Sequence, residues 1–291
     1  SLRANWKIED LIGGEKRLDF DRPFMPETFA RVADLDFLND HEKRLLNQIR
    51  GRGYLNMFAV VEEFILPFVM DHVRPELHGD DYRVRALLQF ATEEAKHIHL
   101  FKCFLEAFDG GFGTACNFIG PADEIGDAVL AHDPLAVGLV ILMIEWMTQA
   151  HYVGSVKDDT GLDPMFANLL RNHWMEEAQH AKLDTLIVET LAATYTPAKK
   201  EKAMDDFFAI GAMVDGALAQ QVAFDVDAFE RASGYVMTAA ERERFTAVQH
   251  QAQRWTYLGS GMRHPNFLAS IDALGGTARQ RIDEATPVFS M

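Results

Sequence analysis

Two short segments carry residue types suited to holding a metal. Ala91-Thr-Glu-Glu-Ala-Lys-His97 and His173-Trp-Met-Glu-Glu-Ala-Gln-His180 each contain Glu-x-x-His, as Glu94/His97 and Glu177/His180. On a helix, residues three apart share a face, so each pair can reach one ion. His173, four before Glu177, lies on the same face and adds a third imidazole. Carboxylate oxygen with imidazole nitrogen is the donor mixture that non-haem iron or manganese prefers. A single Glu-x-x-His is commonly a surface coincidence. Two copies among apolar neighbours are a stronger signal, and they raise the question of where further carboxylates come from.

The elements that position these segments are helices. Asn39-Asp40 starts a helix that runs to about Val73, before Arg74-Pro75, with Gly51 and Gly53 placed to bend it. A second follows His78-Gly79-Asp80 and ends near Phe108, before Gly110-Gly111. After a glycine-rich connection with a short helix at Asp123–Leu130, a third begins at Asp133-Pro134 and reaches about Val156. The fourth begins at Asp163-Pro164 and reaches about Ala193; proline at the first helical position suits both starts. Further helices are expected near 198–231, 238–258 and 264–273. The expected fold is all-α, a four-helix bundle over about 40–194, with a helical extension over about 197–291 in the same domain. A long link between two helix pairs is the connectivity of a ferritin-like bundle.

The third helix holds one acid between Leu135 and Met147, Glu145, flanked by Ile144 and Trp146. An isolated buried carboxylate is costly unless paired, protonated or coordinating, so Glu145 is a candidate ligand. The first helix offers Glu62 and Glu63. At about 100° per residue, Glu62 falls within the apolar arc of Leu55, Phe58, Ile65, Leu66 and Val69, and Glu63 at its edge. Glu62 is therefore chosen, with Glu63 as the alternative. The same wheel favours Glu94 and leaves Glu93 offset. The candidate set is Glu62, Glu94, His97, Glu145, His173, Glu177 and His180, enough for two ions. Asp184 is a candidate partner for a ligand histidine or an arginine. Thr148 and Gln149 are equally readable as cavity-lining or as ordinary helix-surface groups. His99 and His151 lie off the metal face. Phe58, Phe64, Phe68, Phe101, Met143, Met147 and Trp174 recur at helical spacing and are expected mostly in the core.

Composition narrows the field. A net charge of −16 disfavours nucleic acid and anionic membrane surfaces as partners. The two cysteines, Cys103 and Cys116, have no zinc-ribbon or Cys-x-x-Cys spacing and read as free thiols. No signal peptide is evident, and the most apolar run, Leu135–Ile144, falls short of a membrane span. A cytoplasmic protein without membrane contact is expected.

This pattern resembles the ferritin-like di-iron carboxylate proteins, in which two Glu-x-x-His helices combine with two single-Glu helices. Within them, His173-xxx-Glu177-xx-His180 is similar to the p-aminobenzoate N-oxygenase family, which carries a third ligand histidine. The spacings of 32, 51 and 32 residues between Glu62, Glu94, Glu145 and Glu177 fit that family as well. The resemblance covers about 50–190 and implies a di-iron oxygenase that activates dioxygen to oxidise a small organic substrate, in that family often an amine nitrogen. It implies two iron ions (alternatively one iron and one manganese), an external electron donor and, by analogy, a homodimer. Glu62, Glu94 and His97 would hold one ion and His173, Glu177 and His180 the other, with Glu145 shared. The competing readings are an iron-binding ferroxidase, a bundle with a structural or vestigial metal, and a dinuclear metal hydrolase. Chain length disfavours the first, intact ligands the second, and the lack of aspartate and loop ligands the third.

Overall fold

Four capping side chains set where the long helices start. Asn39 accepts the Glu42 amide at 3.0 Å while Glu42 accepts the Asn39 amide at 2.8 Å, a reciprocal capping box. Asp80 accepts the amides of Tyr82 and Arg83, Asp133 that of Leu135 and Asp163 that of Phe166. In the computed structural model, which describes residues 6–291, every regular element is helical.

Two short helices, α1 (Ile8–Leu11) and α2 (Glu27–Ala30), precede the long α3 (Asp40–Val73). Then come α4 (Asp81–Phe112), α5 (Ala122–Leu130), α6 (Pro134–His151), extended by a π-turn over Tyr152–Val156, and α7 (Pro164–Ala193). The remainder is α8 (Pro197–Ser233), α9 (Ala239–Arg254) with a π-turn over Trp255–Gly259, α10 (Ser260–Met262), α11 (Pro265–Leu274) and α12 (Ala278–Ala285). In the bundle α3 packs on α4, α6 on α7, and α4 meets α7. Outside it, α5 lies on α3 and α6, α8 lies across the same pair, and α9 packs on α8.

The helix starts agree with the sequence reading to within a residue or two. One end does not: α4 continues through Gly110 and Gly111 to Phe112 and stops at Gly113, whose φ of 77° forms the left-handed cap. Gly111 lies inside the helix at a position where a β-carbon would overlap the Phe20 ring, so a glycine there serves close packing and does not end the helix. At Gly51 and Gly53, α3 continues unbroken; Phe24 packs against Gly51. α1, α2 and α12 carry no periodicity long enough to be read in advance.

The expectation that no segment is long enough to span a membrane is overturned. Asp40–Glu76, Pro134–Val156 and Pro197–Ser233 are each long and apolar enough by length and composition. The reason is visible for the first two, whose most apolar stretches are 72% buried inside the fold: helices enclosed on several sides need apolar residues around most of their circumference.

The C-terminal helices are tied to the bundle by a buried ion pair. Arg50 on α3 places Nη1 3.7 Å from Asp225 Oδ2 on α8, and both side chains are 3% exposed. Gln221 and Gln253 donate to the same carboxylate at 2.8 and 3.1 Å. Burial pushes Asp225 up to about 6, with Arg50 opposing the rise. The two cysteines are free and half-buried.

Candidate metal centre

The wheel argument that placed carboxylates on apolar arcs has a direct outcome: Glu62, Glu94, His97, Glu145, His173, Glu177 and His180 are all buried, none more than 4% exposed. α3 supplies Glu62, α4 supplies Glu94 and His97, α6 supplies Glu145, and α7 supplies the other three. Glu63 turns outward and pairs with Lys102 at 2.6 Å, whereas Glu62 is buried beside the histidines.

Glu177 stands at the centre. Its Oε1 lies 2.9 Å from His97 Nδ1 and 2.8 Å from His173 Nε2, and its Oε2 lies 2.7 Å from His180 Nδ1. Glu62 Oε1 is 2.9 Å from His173 Nε2 and 3.8 Å from His97 Nδ1. Glu94 Oε1 is 2.7 Å from His180 Nδ1, and its Oε2 is 4.0 Å from His97 Nδ1. Two overlapping groups result, each with its donor atoms within 4.8 Å of one another: Glu62, His97, His173 and Glu177; and Glu94, His97, Glu177 and His180. This differs from the expected division. His173 groups with Glu62 and His97, because i,i+4 spacing on α7 sets it one turn from Glu177, towards α3. The shared residues are Glu177 and His97. Glu145 belongs to neither group; its carboxyl lies against Glu177, and its Oε2 has no hydrogen-bond partner.

Several of these atoms are close without being satisfied. Both Glu94 oxygens, Glu62 Oε2, Glu177 Oε1 and His97 Nδ1 have no hydrogen bond, although some sit at ion-pair distance, because the angles are wrong for one. Buried polar atoms are nearly always hydrogen-bonded, so such a convergence calls for another partner. Ligands at about 2.0–2.2 Å from one ion lie roughly 3 Å apart, which is the spacing between these oxygens and nitrogens. The donor set therefore fits divalent cations.

Electrostatics point the same way. Burial, with Glu94 and Glu177 nearby, drives the Glu62 carboxyl well above the usual range. Burial and Glu177 do the same to Glu145. Burial also opposes ionisation of Glu177, yet His180, His173 and His97 hold it well below its ordinary value. Burial disfavours the charged forms of His97 and His180, but the carboxylates outweigh it, raising His97 to about 9 and His180 well above normal. In the protein alone, protons take the place that metal cations would fill.

The outer nitrogens of two histidines are held by residues outside the candidate set, Glu176 and Glu93. His97 Nε2 meets Glu176 Oε2 at 2.7 Å, and Glu176 is anchored by Lys96 at 2.5 Å. His180 Nε2 meets Glu93 Oε2 at 3.0 Å, and Gln89 donates to Glu93. Each partner comes from the opposite helix: α7 supports the α4 histidine, and α4 the α7 histidine. Such partners fix the tautomer and leave Nδ1 facing the cluster. The signal was available in the sequence as the repeated Glu-Glu-Ala-x-His of Glu93–His97 and Glu176–His180. A residue offset from its own helix's inward stripe is aimed at the neighbouring helix.

Asp184, by contrast, holds neither a histidine nor an arginine. It is buried, both oxygens lack hydrogen-bond partners, and burial pushes its carboxyl well above normal. Thr148 is buried and returns its hydroxyl to Ile144 O within α6, whereas Gln149 donates across the helix pair to Trp174 O on α7. His99 is exposed, and His151 is buried against Ser260 and Tyr54, away from the cluster. Around the ligands, Phe58 and Phe101 meet the His173 ring edge-on, Phe90 packs on His180, and Trp6 stacks on His97 beneath Lys96. No family model, curated protein or solved structure matches the chain.

Proposed function

We propose that this protein is a ferritin-like, non-haem dinuclear iron oxygenase that uses dioxygen to oxidise a small organic substrate. The observation that carries the reading is the pair of overlapping buried carboxylate–imidazole groups joined at Glu177 and His97. Carboxylates balance the charge of two divalent ions, and imidazoles complete their shells while leaving positions open. When bound, the two irons supply the redox chemistry that reduces dioxygen and oxidises the substrate.

The chain's own residues act by placement. Glu176 and Glu93 accept the Nε2 protons of His97 and His180, which keeps each Nδ1 lone pair turned inward. Glu177 offers one oxygen to each group. Phe58, Phe90 and Phe101 exclude water around the imidazoles. Electrons come from an external donor, since the sequence has no flavin or iron–sulfur motif.

Metal analysis combined with oxygen uptake tests this. Protein loaded anaerobically with ferrous iron should retain two ions per chain and consume dioxygen on mixing. A single zinc, or no retained metal with every ligand intact, defeats the reading. Manganese in one position would replace the two-iron form by the mixed one without disturbing the ligand assignment.

A further inference from the structure

The outer faces of α3 and α6 are not simply packed against the C-terminal helices; a cavity of about 100 Å³ lies between them. Its walls are α3 around Met57–Phe64, α6 around Val140–Met147, α5, and α8 from Phe207 to Ala217, with Tyr257, Leu258 and Met262 closing it. On α6 the lining residues Val140, Met143, Ile144 and Met147 form one helical stripe, and Glu145 lies well over 100° around the helix from its centre. The cavity is thus on the far side of the ligand helices from the metal cluster.

Three observations define what fits. Among the lining residues only Tyr257 has a polar side-chain atom, so nothing offsets the cost of bringing a charge inside. Five of the chain's 12 methionines line it, namely Met57, Met143, Met147, Met213 and Met262; thioether side chains adapt to ligands of varied shape. A wholly apolar cavity of roughly 150 Å³ takes up benzene; this one, at about 100 Å³ and with a single hydroxyl in its lining, suits a ligand of benzene's size or smaller within its walls. The α8 wall, with Met213, Val214 and Ala217 half-buried, is where the cavity reaches the surface.

The geometry points to a binding site for a small uncharged hydrocarbon, or the hydrocarbon portion of a larger molecule, closed by α8. Phe58 connects it with the cluster: its ring lines the cavity and meets His173 with centroids 5.2 Å apart. A ligand there is one aromatic ring away from a candidate metal ligand. As a substrate compartment the site rests on the dinuclear-iron reading; as a hydrocarbon site it stands without it.

Gly211 supplies the test. It lines the cavity from α8, and a β-carbon built on it meets nothing within 4 Å. Gly211→Leu therefore projects into empty space, and leucine favours the helix. Benzene and n-hexane should bind the full chain saturably in ligand-observed NMR, with benzoate and hexanoate at least tenfold weaker. Gly211→Leu and, separately, Val214→Phe should each weaken benzene binding at least tenfold with the circular dichroism unchanged. If Gly211→Leu does not fold, Val214→Phe decides. Absence of saturable binding to the folded chain, equal binding of the carboxylates, or unchanged affinity in the folded variants overturns the inference. Metal content measured on the same samples keeps the two readings apart: hydrocarbon binding without retained metal removes the dinuclear centre and leaves this site.

Discussion

Replacing Glu93 and Glu176 by glutamine should weaken metal binding unequally. Each accepts a hydrogen bond from the Nε2 of a buried histidine, at 3.0 and 2.7 Å. Bonds to a charged partner contribute about 1.5–3 kcal/mol each. Loss of such outer supports typically lowers metal affinity about 10–100-fold, or roughly 1.4–2.7 kcal/mol, and the two ranges agree. Their consequences differ because His180 serves only the group with Glu94, whereas His97 belongs to both. Anaerobic cobalt(II) titration of the intact chain, followed by the visible absorption of the ion against a competing chelator, should resolve two binding steps. Glu93→Gln should shift one step by about 10–100-fold and leave the other in place. Glu176→Gln should shift both. Equal displacement of both steps by Glu93→Gln, or no effect from Glu176→Gln, would refute the crossed arrangement in which each helix supports the other's histidine.

His173→Ala should reduce retained metal from two ions towards one, read by metal analysis after gel filtration; unchanged stoichiometry would remove His173 from the ligand set. His151 is held neutral, its pKa depressed to about 3 by burial. The unfolded chain takes up this proton below about pH 6.5, whereas the folded chain does not until about pH 3. Stability from this group is complete above pH 6.5 and falls by about 1.4 kcal/mol per unit beneath it. Denaturant unfolding at pH 7.5 and 5.5 should show a smaller acid loss in His151→Gln. Gly111→Ala, which drives a β-carbon into Phe20, should destabilise by about 1–3 kcal/mol. By the same denaturant measurement Gly216→Ala, on an exposed part of α8 with open space, should stabilise by about 0.5–1 kcal/mol.

The parts of this molecule that could be read in the sequence are those where one helix dictates its own geometry. Spacing of three and four residues brought Glu94 to His97 and His173 to Glu177, and the wheel separated Glu62 from Glu63, whose partner is the surface Lys102. Capping chemistry located the starts of α3, α4, α6 and α7. What escaped depended on relations between helices. The division of ligands into two groups needs the crossing of α3, α4 and α7, which no periodicity encodes. Glu93 and Glu176 look misplaced on their own helices and make sense only across the α4–α7 interface. Asp184, at i+4 from His180, finds no histidine to hold because Glu93 on α4 already meets that ring's outer nitrogen. The C-terminal helices bear no motif because their contribution to the cavity is shape and apolar lining.

The buried Arg50–Asp225 pair carries a consequence for how the chain is made. During synthesis the helices bearing all seven candidate ligands emerge from the ribosome before Asp225 does. Until α8 arrives, Arg50 lacks the carboxylate that neutralises it, and the outer faces of α3 and α6 remain uncovered. A nascent bundle at that stage is sticky and incompletely neutralised, the kind of intermediate that associates wrongly or waits for a chaperone. In the folded chain α8 covers that apolar surface and also supplies the matching charge. Maturation of the ligand-bearing core is therefore completed by the last third of the chain.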